Sequence, residues 1–158
     1  MSPVRIAALF TGCLLTQSAP AQLPTGSPSD AVRLTVSQNA DGSRTAYEVD
    51  PIKKKATATT TSRDGKPAGR INYELDDLGR YARGEVLDAK GAFQFKTQYK
   101  YDQNGRLSEE LRLNKQDVLQ MKLVYAYDDA GKPAGYSVFD GNGKLLGQTQ
   151  PVTAAKPR

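Results

Sequence analysis

The sequence predicts an all-β protein: an antiparallel meander of about ten short strands in hairpins, forming a single strongly coiled sheet or part-barrel built from 26-residue repeats. Two observations predict this fold. Four copies of one short pattern begin 26 residues apart, at Tyr47, Tyr73, Tyr99 and Tyr125, and a fixed period is typical of repeat architectures. Turn signals also recur every 12 or 14 residues, which indicates short strands joined as hairpins.

The turns carry a defined chemistry, because each copy of the pattern ends in Asp-x-x-Gly or a close variant. Asp at the first turn position can bond the backbone two residues on, and Gly at the fourth accepts a positive φ without a Cβ clash. Both features are typical of a type I turn closed by a left-handed residue, a common hairpin connection. We predict turns at residues 39–42, 50–53, 62–65, 76–79, 88–91, 102–105, 114–117, 128–131 and 140–143.

The even repeat period predicts one apolar and one polar face. Side chains alternate across a strand, so we expect odd-numbered residues to point inward and even-numbered residues outward. Leu113 and Leu123 should then lie on the apolar face, with Arg112 and Lys122 on the polar one. Val124, Tyr136 and Val138 are apolar residues at even positions that depart from this rule. Such a sheet must curl over its apolar face, or cover it by dimerising face to face.

The termini predict export. Residues 1–21 resemble a signal peptide, in which Arg5 precedes an apolar stretch at 6–15 and Ala-Pro-Ala at 19–21 gives the cleavage site. We expect a linker at 22–30, the β-sheet domain at 31–150 and a disordered tail at 151–158. The location is then periplasmic or secreted. The alternative is a lipid anchor at Cys13, because residues 10–13 resemble a lipobox.

Several classes of chemistry are excluded by composition. The chain has no His and a single Cys, Cys13, so we predict no catalytic residue, no metal site and no cofactor, and a protein that is not an enzyme. The net charge of +5 comes from charges that alternate in sign, and only residues 53–55 form a basic cluster, which disfavours a nucleic-acid partner. The apolar stretch near the N-terminus is too short for a membrane span.

The tyrosines are the candidate ligand-binding residues. Seven share the predicted apolar face: Tyr47, Tyr73, Tyr81, Tyr99, Tyr101, Tyr125 and Tyr127. The candidate site is the set Tyr73, Tyr99, Tyr101, Tyr125 and Tyr127. These rings either pack as a core with each hydroxyl at the rim, or line a groove that stacks on sugar rings. The second alternative requires that the sheet curl incompletely.

The pattern at residues 99–107, Y-K-Y-D-Q-N-G-R-L, resembles the YD repeat of the rearrangement-hot-spot (RHS) and teneurin-like proteins. The resemblance covers residue 47 to about residue 146, and it weakens toward the N-terminus, where Lys53 replaces the turn Gly and Leu75 the second Tyr. It implies hairpins stacked into one coiled sheet, and carbohydrate binding has been attributed to such repeats. Four copies are too few to surround a cargo domain, so encapsulation is not implied.

Together these features predict a non-catalytic, secreted or periplasmic β-repeat protein that binds a cell-envelope partner, either polysaccharide or protein. The alternative is a structural scaffold or accessory protein that pairs with another chain through a sheet edge. An oligomer is compatible with both.

Sequencing the N-terminus of the exported protein tests the targeting prediction. Cleavage after Ala21 should leave Gln22 as the first residue. A protein that begins at a lipid-modified Cys13 would establish the lipoprotein alternative instead.

Overall fold

The computed structural model describes residues 32–149, and the predicted signal peptide, linker and C-terminal tail lie outside this range. The described chain forms ten strands: β1 Arg33–Gln38, β2 Arg44–Asp50, β3 Lys55–Thr61, β4 Pro67–Leu75, β5 Tyr81–Asp88, β6 Phe93–Tyr101, β7 Leu107–Leu113, β8 Leu119–Tyr127, β9 Pro133–Asp140 and β10 Leu145–Gln148.

The strands form one antiparallel sheet in chain order, from β1 at one edge to β10 at the other. The backbone of each strand lies beside that of its immediate neighbours alone, so the sheet is open, and no other element forms a second layer within residues 32–149. The predicted all-β meander of ten strands is therefore confirmed. Over the same range, no helix has the length and apolar character needed to span a membrane.

Most turns form where their residues predict. In the turn at 76–79, Asp76 Oδ1 accepts the backbone N–H groups of Leu78 and Arg80 at 2.9 and 2.8 Å. Gly79 has φ +75° and donates its N–H to the carbonyl of Asp76 at 2.9 Å. Two turns reach a positive φ without Gly, at Lys54 (φ +50°) and Asp117 (φ +61°). The first of these lies at residues 51–54, one residue later than expected.

The expectation that odd-numbered residues point inward along the whole sheet is wrong. Near most turns the pairing shifts by one residue, so two residues on one strand oppose one on the other, as in a β-bulge. Between β4 and β5 the shift lies between Glu74 and Leu75, and beyond it Tyr73 faces Gly84. Because directly opposed residues share a face, each such shift exchanges odd and even positions between neighbouring strands.

Because of these shifts, Arg112 and Leu113 lie on the faces opposite to those predicted. Arg112 lies opposite Met121 and therefore shares the face of Leu123. Leu111 lies opposite Lys122, so Leu113, two residues further along the same strand, shares the face of Lys122. The prediction that Leu113 and Leu123 share one face, and Arg112 and Lys122 the other, is therefore wrong. Tyr136 and Val138 lie opposite Tyr125 and Leu123, on the tyrosine side, and not on the polar side as expected.

Two faces result, each of mixed character. We call one the tyrosine face; its residues include Tyr47, Ala58, Ile71, Tyr73, Gly84, Val86, Phe95, Thr97, Tyr99, Glu110, Arg112, Met121, Leu123, Tyr125, Tyr136 and Val138. The opposite face includes Asn72, Arg83, Glu85, Leu87, Lys96, Gln98, Glu109, Leu111, Leu113, Lys122 and Phe139.

The core of this sheet is thin. Among residues 32–149, the buried hydrophobic side chains are Ala56, Ala58, Leu75, Leu87 and Leu113. No large side chain in that range is completely buried. A single layer excludes water from a side chain only where neighbouring strands and their side chains cover it, so most of the apolar residues stay half-buried.

Gly84 lies beneath the most closely packed part of the tyrosine face. A Cβ atom added there would lie 2.6 Å from Thr97 Oγ1, 3.2 Å from the Tyr73 ring and 3.3 Å from Ile71. Glycine in a strand often marks such a close approach, and a neighbouring ring can cover its missing side chain. Gly84 is therefore a packing position that lets the Tyr73 ring lie across its strand.

Gly84→Ala should destabilise the protein by about 1–3 kcal/mol, because Thr97 is β-branched and buried and cannot easily move aside. Gly147→Ala is the matched control, since a Cβ atom added at Gly147 would have no neighbour within 4 Å. Gly147→Ala should leave the free energy of unfolding unchanged or raise it slightly. Denaturant unfolding of both variants measures the difference, and equal midpoints would contradict the packing role of Gly84.

Candidate functional site

Three tyrosines of neighbouring strands form a cluster on the tyrosine face. The ring centres of Tyr73 and Tyr81 are 4.2 Å apart, and those of Tyr73 and Tyr99 are 6.2 Å apart. Tyr73 and Tyr99 come from strands two apart, whose backbones are separated by roughly 9.6 Å. The rings therefore lean toward each other over Gly84, and all three remain half-buried.

A second cluster combines tyrosines with an ion pair. Tyr125 and Tyr136 have ring centres 6.0 Å apart, and the Tyr125 hydroxyl donates to Glu110 Oε2 at 3.3 Å. Arg112 Nε lies 3.3 Å from Glu110 Oε1. The Arg112 guanidinium also lies over the Phe95 ring, 5.0 Å from its centre. One carboxylate and one guanidinium are thus placed among aromatic rings.

The hydroxyls of Tyr73, Tyr99 and Tyr125 stay neutral at physiological pH. Burial, with a smaller effect from the nearby Glu110 carboxylate, raises the pKa of Tyr99 to about 12. Burial also raises the pKa of Tyr73, with contributions from Tyr99 and Tyr81, and that of Tyr125, with a contribution from Glu110. A neutral phenol both donates and accepts hydrogen bonds, which suits hydroxyl-rich ligands better than a charged one.

Tyr101 has a different environment at the end of its strand. Its hydroxyl donates to the backbone carbonyl of Tyr81 at 2.8 Å. The guanidinium of Arg80 lies over its ring, 4.1 Å from the centre. Arg80 is held in turn by Asp76, with Nε 2.7 Å from Oδ2. We call this arrangement of an Asp–Arg turn and a Tyr from the next copy of the pattern a turn clamp.

The same clamp recurs 26 residues further along the chain. The Tyr127 hydroxyl donates to the carbonyl of Leu107 at 2.8 Å, and the Arg106 guanidinium lies 4.5 Å from the ring centre. Asp102 Oδ2 lies 2.7 Å from Arg106 Nε. A hydrogen bond from the Arg106 backbone N–H is the main cause that lowers the pKa of Asp102, so the carboxylate is ionised at neutral pH.

The five tyrosines predicted as a site therefore occupy three surroundings. Tyr73 and Tyr99 lie together in the first cluster, and Tyr125 lies in the second. Tyr101 and Tyr127 stand at strand ends, where their rings and hydroxyls hold the preceding turn. The aromatic face thus consists of a central surface and two structural clamps at its margin.

Sequence reasoning missed three residues of this surface. The even numbers of Glu110, Arg112 and Tyr136 predict the opposite face, and the pairing shifts place all three beside the tyrosines. A bulge has no residue signature as strong as the turn glycines, because the extra residue needs no positive φ. The available signals were Tyr136 and Val138, two apolar residues at positions predicted to be polar.

The opposite face carries an open groove of about 700 Å³ across β3 to β7. Its lining alternates in charge, with Lys55 opposite Glu74, Glu74 opposite Arg83, and Glu85 opposite Lys96. Opposed charges of this kind stabilise neighbouring strands and leave little net field for a charged ligand. Across residues 32–149, no three His, Cys, Asp or Glu side chains are grouped so as to hold a metal ion.

Comparison of the sequence with protein-family models and with curated proteins finds no match. The function of the protein is therefore inferred from the geometry of the two faces and edges of the sheet, together with the residue pattern of the chain.

Tyr127→Phe tests the turn clamp. The change removes only the hydroxyl that bonds the Leu107 carbonyl, so it should cost about 0.5–1.5 kcal/mol of unfolding free energy. Tyr136→Phe is the control, since the hydroxyl of Tyr136 has no hydrogen-bond partner among the described residues. Chemical denaturation compares the two. A Tyr127→Phe variant as stable as Tyr136→Phe would show that the hydroxyl does not hold the turn.

Proposed function

We propose that this protein is a non-catalytic carbohydrate-binding protein of the cell envelope and that the tyrosine face is its binding surface. The observation that carries the proposal is a row of half-buried aromatic rings on a sheet face that no other described element covers. A cluster of partly accessible aromatic rings on an uncovered sheet face is a candidate interaction site.

The chemistry of the surface matches that of a sugar ring. One side of a pyranose presents C–H groups, which stack on the electron-rich face of an aromatic ring. Its hydroxyls need both donors and acceptors at the margin of the stack. Glu110 supplies an acceptor, Arg112 a donor, and the neutral hydroxyl of Tyr125 can serve as either.

The arrangement of rings favours an elongated ligand. The tyrosines at the start of each pattern copy lie on alternate strands, β2, β4, β6 and β8, and share one face. The aromatic row therefore runs across the strands, and a glycan chain bound along it would lie perpendicular to them. Several rings in line suit a polymer such as an envelope polysaccharide better than a monosaccharide.

Two features of the sequence support the same proposal. The signal-like N-terminus at residues 1–21 would deliver the protein to the compartment that holds envelope glycans. The resemblance to YD repeats, to which carbohydrate binding has been attributed, agrees with a tyrosine-lined surface.

A second candidate function is that of a scaffold that pairs with another chain through a sheet edge. It is favoured by the composition of β1, an edge strand whose Leu34 and Val36 are largely exposed. Edge pairing and glycan binding use different surfaces of the sheet, so the two functions are compatible.

Binding to a glycan array tests the proposal. We expect the protein to select one class of polysaccharide fragment, with affinity that rises with fragment length as more rings are covered. Tyr125→Ala and Glu110→Gln should each weaken that binding about tenfold or more, as expected for central contacts of a binding surface.

Phe139→Ala serves as the control, because Phe139 is an aromatic residue of the opposite face, paired with Lys122. This variant should bind as the unaltered protein does. Each variant is first compared by circular dichroism, so that loss of fold is not read as loss of binding. An array without a selected glycan, or equal loss in all three variants, would contradict the proposal.

A further inference from the structure

The two edges of the sheet differ in how well they are protected from pairing with another strand. Edge strands expose unpaired backbone groups, and proteins usually protect them by shortness, bulges, proline or charge. β10 has four residues and an irregular pairing between Leu145 and Gly147, and Pro151 follows it in the sequence. This edge is poorly suited to accept a partner.

β1 lacks the shortness, the bulge and the nearby proline that protect β10. It runs for six residues, R-L-T-V-S-Q, in unbroken register with β2. It contains no proline and no acidic residue, and its one charge, Arg33, is at its start. Leu34 is 70% exposed and Val36 is 61% exposed, on an edge that no described element covers.

The hydrogen bonds of the first turn show which backbone N–H and C=O groups of β1 point away from the sheet. Asn39 donates its N–H to the Ser43 carbonyl and accepts the N–H of Gly42, so both of its backbone groups face β2. Antiparallel ladders alternate, so Thr35 and Ser37 also direct their backbone groups to β2. The N–H and C=O groups of Leu34 and Val36 therefore point outward.

We propose that β1 pairs antiparallel with β1 of a second copy of this chain, with Thr35 opposite Thr35 at the two-fold axis. In this register, Leu34 of each copy lies opposite Val36 of the other, and their outward backbone groups complete the ladder. The four apolar side chains then form one cluster on the opposite face. The two Thr35 side chains meet on the tyrosine face, and threonine pairs are favourable across strands.

Charge and chain composition favour a second copy over the protein's own terminal segments. Arg33 lies opposite Ser37 in the proposed register, so no like charges meet. Residues 22–31, which precede β1, contain Pro24 and Pro28, and proline lacks the N–H that a strand needs. Residues 150–158 follow β10, at the other edge of the sheet, and also contain two prolines.

Such a pairing joins two ten-stranded sheets into one and leaves the β10 edge at both ends. A two-fold interface uses the same strand from each copy, so assembly stops at the dimer. Both tyrosine faces would lie on the same side of the joined sheet, because directly opposed residues share a face. The dimer would present two copies of the aromatic surface in one continuous sheet.

Light scattering coupled to size exclusion tests the oligomeric state of the exported protein across a dilution series. We expect a dimer, and we expect Val36→Lys to raise the dissociation constant about tenfold or more by placing a charge in the apolar cluster. Leu146→Lys, at a 55% exposed residue of β10, should leave the dimer intact. A monomer at all concentrations, or equal effects of the two changes, would overturn the proposal.

Cross-linking tests the register. Thr35→Cys should give an intermolecular disulfide on mild oxidation, since opposed residues in the two-fold position bring their Cβ atoms within bridging distance. Ser37→Cys is the control: two residues from the axis, its copies would be about 13 Å apart and should not cross-link. Cross-linking of Ser37→Cys as fast as Thr35→Cys, or of neither, would contradict this register.

Discussion

The contact between an Arg–Asp turn and the tyrosine of the next pattern copy is the interaction on which the rest of this sheet depends. A single open layer has little buried apolar surface to hold successive hairpins at a fixed distance and angle. Tyr101 and Tyr127 supply that constraint, since each ring packs under an arginine and each hydroxyl bonds a backbone carbonyl of a neighbouring strand. The clamp needs Asp, Gly, Arg and Tyr at set positions, which accounts for their spacing along the chain.

The clamps also leave the middle of the tyrosine face for other contacts. Because they hold the turn ends of the strands, the tyrosines between them need not form a closed core and remain half-buried. Tyr73 and Tyr99 lean over Gly84, and Tyr125 bonds to a carboxylate that is paired with Arg112. The structure thus separates tyrosines that hold the turns from tyrosines of the proposed binding surface, although both types occur in the same short pattern.

Local chemistry predicted the turns and the strand number, because Asp-x-x-Gly determines backbone geometry within a few residues. The common face of Tyr73 and Tyr99 was also predictable, since residues one full period apart keep the same orientation. The faces of Leu113, Arg112 and Tyr136 were not, because they depend on the shifts in pairing between strands. The contacts of Arg80 with Tyr101 and of Arg106 with Tyr127 were not predictable either. Each joins residues 21 positions apart, which only the folded sheet brings together.

A double-mutant cycle between Arg106 and Tyr127 tests the central claim most directly. The unfolding free energies of Arg106→Ala, Tyr127→Leu and the double variant give the coupling energy between the two side chains. Contacts that each side chain makes with other residues cancel in the cycle. A partly exposed guanidinium over a tyrosine ring should give a coupling of about 0.5–1 kcal/mol. Single effects that add to within about 0.3 kcal/mol would contradict the account, because the packing of the arginine on the tyrosine ring would then contribute nothing to holding the hairpins together.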